Sequence, residues 1–379
     1  MNCQVSSFNE MQQTEFRDFI NKEIKPFADQ YDQDEIMPLE VFKKFVDQGY
    51  WGTIISKEYD GKEWDMSSFG ILCEEIGRGS ASLLSMYTVQ GMVSESIFKW
   101  GKESQRIQWL PKLAKGEILA AFGLSEPGIG SDAKNVVTTA KETKDGFIVN
   151  GQKKWISCGQ LADLFLIIAQ CDGNPSAFLI ERDTPGFSIK PINGMLGFRS
   201  AMIAELTFEN CHIPNENLLG RIGFGFSHVA GTALDNGRYS IAWGSVGIAQ
   251  ACLEACLLYT TERKQFGVYL KDHQLIQQMI ANMITNIKAA RLLCFRAGTL
   301  KEYGDPDLIM ETSIAKYFAS KTAVQSALDA VQIHGANGCS QEYPVQRYLR
   351  DAKIMEIIEG STQIQQMIIS RHGYHAIQY

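Results

Sequence analysis

The sequence lacks any run of about 18 apolar residues, and its opening "MNCQVSSFNEMQQTEFRDFI" lacks a basic stretch followed by an apolar core, so neither a membrane span nor a signal peptide is expected. It also lacks a long basic run. With 36 Lys and Arg against 43 Asp and Glu, the formal charge is −7, which argues against nucleic acid or an anionic membrane as partner. The nine cysteines are odd in number and show no paired spacing, the usage of reduced thiols in a cytoplasmic protein. No G-x-G-x-x-G follows a strand pattern; the nearest approach, "GRIGFGFSH", lacks the third glycine. A Walker G-x-x-x-x-G-K-[ST] and a G-x-S-x-G elbow are missing too, which disfavours Rossmann nicotinamide enzymes, P-loop NTPases and serine hydrolases. Cys252 and Cys256, and His372 and His375 in "HGYH", offer at most two ligands per group, so no metal is expected. Internal repeats and low-complexity tracts are absent.

What is present is an ordinary globular composition, 45% hydrophobic and 21% charged over 379 residues, enough for two or three domains. Residues 1–118 carry apolar positions at helical spacing, as in "FRDFINKEIKPFADQY" and "SFGILCEEIGRG", and predict a helical bundle. Residues 119–222 change character. Short β-branched and aromatic runs such as "GFIVNGQKKWIS", "LFLIIAQC" and "AELTFENCHI", broken by "KDG", "CDGNP" and "TPG", predict a mostly antiparallel β-domain. Residues 223–379 return to helical spacing. Ala242, Val246, Ala249, Cys252, Cys256 and Tyr259 form one stripe, and Ile276, Met279, Met283, Ile287, Ala290 and Cys294 another, predicting two long helices joined by "RKQFGVYLKDHQ" in a second bundle. The fold class is therefore α+β.

Several stretches carry candidate chemistry. "GLSEPGIGSDA" (123–133) combines three glycines with Ser125 and Ser131, so its backbone can approach a planar or phosphorylated ligand. "KKWISCG" ends a strand pattern with an aromatic plane, Trp155, and a hydroxyl, Ser157. His334 is either a base or a packing residue. In "MEIIEGSTQIQ", Glu359 follows an apolar run and precedes Gly360, with Ser361 or Thr362 able to cap a last helix. On a continuing helix Glu356 would share the face of Glu359, so spacing leaves both carboxylates as candidate bases.

Taken in order, "GLSEPGIGSDA", "KKWIS", "ERKQFGVYLKDHQ", "VQIHGANG", "YPVQRYLRDAKI" and "IIEGSTQIQ" resemble six successive signatures of the acyl-CoA dehydrogenase family, over essentially the whole chain. The resemblance implies an N-terminal helical bundle, a central β-domain and a C-terminal four-helix bundle, assembled as a homodimer or homotetramer with FAD at subunit interfaces. It matches Glu359, through "EGS" for the family's E-G-T, to the base that faces the substrate Cα while flavin N5 faces Cβ. It places Leu124, Ser125, Ser131, Trp155, Ile156 and Ser157 by the flavin ring. Arg263, Phe266 and Gln274 match positions holding the pyrophosphate and adenosine, largely across an interface. Gln332, Ile333, His334, Gly335 and Ala336 match a further FAD-contacting turn, and Ser361, Thr362 and Gln363 contacts after the base. Ser131, Asp235, Arg238 and Gly360 match substrate contacts, Arg238 being alternatively a structural ion-pair residue.

"YSIAWGSVGIAQACL", "TSIAKYFAS" and the Cys339 that stands for an aromatic in "GGNGY" resemble the relatives that oxidise acyl groups on acyl carrier protein in polyketide and nonribosomal peptide pathways. That likeness implies a three-carbon glyceryl- or seryl-type thioester, en route to hydroxy-, methoxy- or aminomalonyl extender units. The alternative is a short- or branched-chain acyl-CoA dehydrogenase that passes electrons to electron-transferring flavoprotein. A flavin oxidase on the same fold and a non-catalytic flavin-binding scaffold are the further readings.

Overall fold

The computed structural model describes residues 7–376. Six helices open the chain: α1 (Ser7–Glu23), α2 (Ala28–Asp34), α3 (Leu39–Gln48), α4 (Met66–Gly79), α5 (Ala81–Trp100) and α6 (Glu103–Lys115). Local chemistry sets their ends. The Asp65 carboxylate accepts from the Ser68 amide at 2.7 Å and starts α4, and Ser80 caps α5 through the Leu83 amide. Gly116, at φ 66°, stops α6 in the left-handed conformation that releases the chain toward the sheet.

Eight strands follow: β1 (Ala120–Gly123), β2 (Thr139–Thr143), β3 (Gly146–Ile156), β4 (Leu164–Cys171), β5 (Asn174–Glu181), β6 (Phe187–Pro191), β7 (Ala204–Pro214) and β8 (Leu218–Leu219). They form one sheet in the order β6-β7-β3-β2-β4-β5-β8, with β1 beside β4. Most pairings are antiparallel, as expected; β1 and a single position of β2 run parallel to β4. Strand β4 explains its own unbroken apolar sequence. Leu164, Leu166 and Ile168 point into the helical core, while Phe165, Ile167 and Ala169 point into a second core within the β-domain.

The chain then re-enters helix through a π-turn at Gly225–Ala230 and continues as α7 (Gly231–Glu262), a short hairpin β9 (Lys264–Gln265) and β10 (Val268–Tyr269), α8 (Gln274–Tyr303), α9 (Leu308–His334), α10 (Val345–Met355) and α11 (Thr362–Ala376). The segment Gly225–Glu262 is long and apolar enough to cross a membrane by length and composition, although polar residues interrupt its apolar run. In the fold 72% of its most apolar window is buried, so it is a core helix. It packs on α8 and α9, and equally on α4 and α5. The two expected bundles thus share one hydrophobic core running from Phe16 to Met355. Small residues make this possible: a Cβ on Gly77 would lie 2.6 Å from the Gly244 carbonyl oxygen.

Candidate active site

Helix α10 ends at Met355, and the chain turns rather than continuing. The premise that Glu356 and Glu359 share a helical face therefore fails, because Glu359 sits at φ 53° and Gly360 at φ 87°. Glu356 instead binds Lys353 at 2.7 Å. Its carbonyl accepts from the Thr362 amide at 2.9 Å, which closes the turn. Ser361, rather than Thr362, caps α11: its Oγ accepts from the Ile364 amide at 3.4 Å.

Glu359 keeps some accessible surface as a residue, yet its Oε2 is enclosed and has no hydrogen-bond partner. Burial pushes the carboxyl up to about 7, against the opposing charges of Arg238 and Lys316. Across from it lies Gly237 of α7. A Cβ there would sit 2.4 Å from Glu359 Oε2 and 3.0 Å from the Met92 sulfur of α5, so the missing side chain makes the room the carboxylate occupies. The backbone of the turn is held by three donors. Arg238 Nε reaches the Glu359 carbonyl at 3.3 Å, Lys316 Nζ the Gly360 carbonyl at 2.8 Å, and Gln365 Nε2 both carbonyls at 3.0 Å. Arg238 therefore braces the turn through its backbone, and its nearest carboxylate contact is not a direct ion pair. Asp235 is engaged by Lys301, with its Oδ1 buried and unpartnered. Lys316 and Gln365 were missed in the sequence, where a Lys or Gln on a helical stripe carries no mark of what it meets; Gly237 lies within the "DNGR" segment, Asp235 to Arg238, matched there to substrate contacts, but its approach to Glu359 was not foreseen.

The flavin-side candidates fall into groups. A bulge in β3 between Lys153 and Ile156 puts Trp155 at φ 65° and turns its indole out, leaving it 50% exposed. Ser125 lies beside it, its carbonyl accepting from the Lys154 amide at 2.9 Å. This loop is locked by a fully buried pair: Lys153 Nζ binds Glu126 at 2.7 Å and the Leu124 carbonyl at 3.1 Å, while Glu126 also accepts from the amides of Val137 and Thr138. Ser157 takes a 2.8 Å hydrogen bond from Ser85 of α5, another residue that the sequence did not single out. The side chains of Leu124 and Ile156 are in the cores, so only their backbone groups remain for a ligand. Ser131 is exposed on the loop.

Arg263, Phe266 and Gln274 are exposed around the β9–β10 hairpin, Phe266 by 95%. Gln332, Gly335 and Ala336 are exposed at the end of α9, whereas Ile333 is core. His334 is packed: it is buried, its Nδ1 donates to the Ala330 carbonyl at 2.8 Å, and its ring stacks on Tyr259 with centroids 4.2 Å apart. Tyr259 joins the hairpin group to this turn, through the Arg263 amide on its carbonyl and Asn337 on its hydroxyl. Gln363 is exposed on the first turn of α11. Two outward aromatic planes, an exposed guanidinium, and serine and amide donors form a set that fits FAD, a flat ring system joined to a pyrophosphate. Cys252 and Cys256 are buried in α7, where burial pushes the Cys256 thiol up to about 12, a core role.

Comparison with known proteins follows the same division of the chain. Profiles described as acyl-CoA dehydrogenase N-terminal, middle and C-terminal domains match residues 7–117, 121–211 and 223–374. A probable acyl-CoA dehydrogenase, YngJ, of Bacillus subtilis (strain 168) is 38% identical over 98% of this chain and 99% of its own. The solved butyryl-CoA dehydrogenase of Megasphaera elsdenii superposes with a TM-score of 0.94 at 33% identity, covering 98% and 99% of the two chains. Two solved proteins have names tied to carrier-bound or extender-unit chemistry. The prolyl acyl carrier protein oxidase AnaB gives a TM-score of 0.93 at 28% identity (97% and 99% covered). FkbI, for biosynthesis of the methoxymalonyl extender unit of FK520, gives 0.87 at 29% (96% and 99% covered).

Proposed function

We propose, for a chain that belongs to the acyl-CoA dehydrogenase family and is thus an FAD-dependent oxidoreductase, that Glu359 is the base for oxidation of a short acyl thioester. One observation carries this reading: the enclosed, unpartnered Oε2 of Glu359, opposite the gap at Gly237. A carboxylate so placed is destabilised as an anion and gains by taking a proton, and its free oxygen leaves a position for the group that gives one. FAD, when bound, supplies the hydride acceptor. Trp155, Ser125 and Ser157 would border its ring, and Arg263, Phe266, Gln274 and the Gln332–Ala336 turn would meet the rest, as a homodimer or homotetramer. Residues Asp235 and Ser131 are weaker candidates for substrate contact, because one is held by Lys301 and the other lies out on the loop.

The substrate we favour is a three-carbon glyceryl- or seryl-type group on acyl carrier protein. With hydride leaving C3, Glu359 would take the hydroxyl proton. The likeness of "YSIAWGSVGIAQACL" and of Cys339 to carrier-acting relatives supports this substrate. The likeness to AnaB and FkbI points the same way. The second reading, a short-chain acyl-CoA dehydrogenase feeding electron-transferring flavoprotein, is favoured by curated relatives such as the rat short-chain specific acyl-CoA dehydrogenase, 38% identical over 94% of this chain.

Intact-protein mass spectrometry separates the two. Carrier protein charged with glyceryl or seryl groups should lose the mass of two hydrogens when incubated with the FAD-loaded protein and an artificial acceptor. Unchanged carrier, together with rapid flavin bleaching by butyryl-CoA, would instead establish the acyl-CoA reading.

A further inference from the structure

Two cations face the turn that carries Glu359, Lys316 buried and Arg238 half-buried, and both direct hydrogen bonds to its backbone. Lys316 is completely buried in the middle of α9, a position at which a lysine is retained only if its charge meets something. It meets the Gly360 carbonyl at 2.8 Å, one residue beyond the carboxylate, and Arg238 meets the Glu359 carbonyl at 3.3 Å. Direct ion pairing would have tied up the carboxylate oxygens and depressed the basicity of Glu359. Tethering the cations to carbonyls gives the anion through-space compensation while leaving Oε2 open.

We propose that Lys316 is a positioning residue for Glu359, clamping the left-handed turn through Gly360 and stabilising the carboxylate by its charge without touching it. This rests on Glu359 being the base. The other charged groups around Lys316 and Arg238 are Glu356 at the turn itself and Asp235 on α7, with Lys301 of α8 and Glu95 of α5 beyond Asp235 and Asn236. Glu95 is bound by Asn236, Asp235 by Lys301 and Glu356 by Lys353, so Lys316 and Arg238 are the cations left to act on Glu359. Burial lowers the Lys316 ammonium to about 8, against the pull of Glu359, so it is still mostly charged at neutral pH.

The test is an infrared difference titration of the Glu359 carboxyl, assigned by the band that Glu359→Gln removes, in FAD-loaded wild type, Lys316→Met and Lys316→Gln. In both variants the protonated band should persist to a pH higher by about one unit, as expected for loss of a nearby opposite charge. The acidic limb of turnover should move with it. Lys316→Gln, which keeps a donor for Gly360, should recover turnover at high pH, whereas Lys316→Met should stay about tenfold low at every pH. An unmoved titration in either folded variant overturns the inference, and should Lys316→Met not fold, Lys316→Gln decides alone. Turnover of Glu359→Gln separately decides whether Glu359 is the base, so the two readings fail independently.

Discussion

The turn at Glu359 and the hairpin at Phe266 are built to opposite specifications. Around Glu359 the carbonyls of Glu359 and Gly360 are occupied by Arg238, Lys316 and Gln365, while the Glu359 Oε2 is enclosed without a partner. Around Phe266 the side chains stand in solvent, with Phe266 95% and Leu275 72% exposed. The half proposed for acid–base chemistry is completed by one chain's own packing. The half proposed to meet FAD has surface still to cover, in keeping with the proposed assembly with a second copy.

That contrast can be broken in order of effect. Glu359→Gln keeps the shape and removes the base; it should bind FAD normally and lose about a thousandfold in turnover, and near-wild-type turnover would end the base assignment. Glu126→Gln strands Lys153 in the interior and should cost about 3 kcal/mol in denaturant unfolding, with reduced FAD content from the loosened Leu124–Ser125 loop. Gly237→Ala pushes on Glu359 Oε2 and should lower kcat/KM about a hundredfold with FAD retained. The pH dependence has a definite sign. Only the ionised base accepts a proton, so turnover should fall about tenfold per unit below pH 7. Stability runs the other way: a carboxyl raised from 4.5 to about 7 in the folded state favours folding at low pH, and that contribution is lost as pH rises through this window. Phe266→Ala should leave the unfolding of the separated chain within about 0.5 kcal/mol, while FAD retention in dialysis and the sedimenting size should drop.

The two halves were also unequally legible. The α+β order was readable because helical and strand periodicities alternate over long segments, and the stripes on α7 and α8 fall on buried faces from Ala242 to Cys256 and at Met283, Ile287, Ala290 and Cys294. Glu359 was readable only through resemblance to a known signature, since periodicity alone left Glu356 equal to it. The shared core of the two helical regions was not readable: apolar stripes state that a face is buried, without stating against what. The packing of His334 was not readable either, because it depends on the carbonyl and ring that adjoin it in the fold.

By itself the sequence determined which segments are helix and strand, which residue types are available for chemistry, and where glycine breaks the chain, because these depend on neighbours within a few positions. Only the tertiary structure decided that Gly237, Met92, Lys316, Gln365 and Arg238 converge on Glu359 from helices up to 267 residues apart in the chain. The basicity of a carboxylate is set by what surrounds it within a few ångströms, and that company is assembled by packing rather than by spacing along the chain.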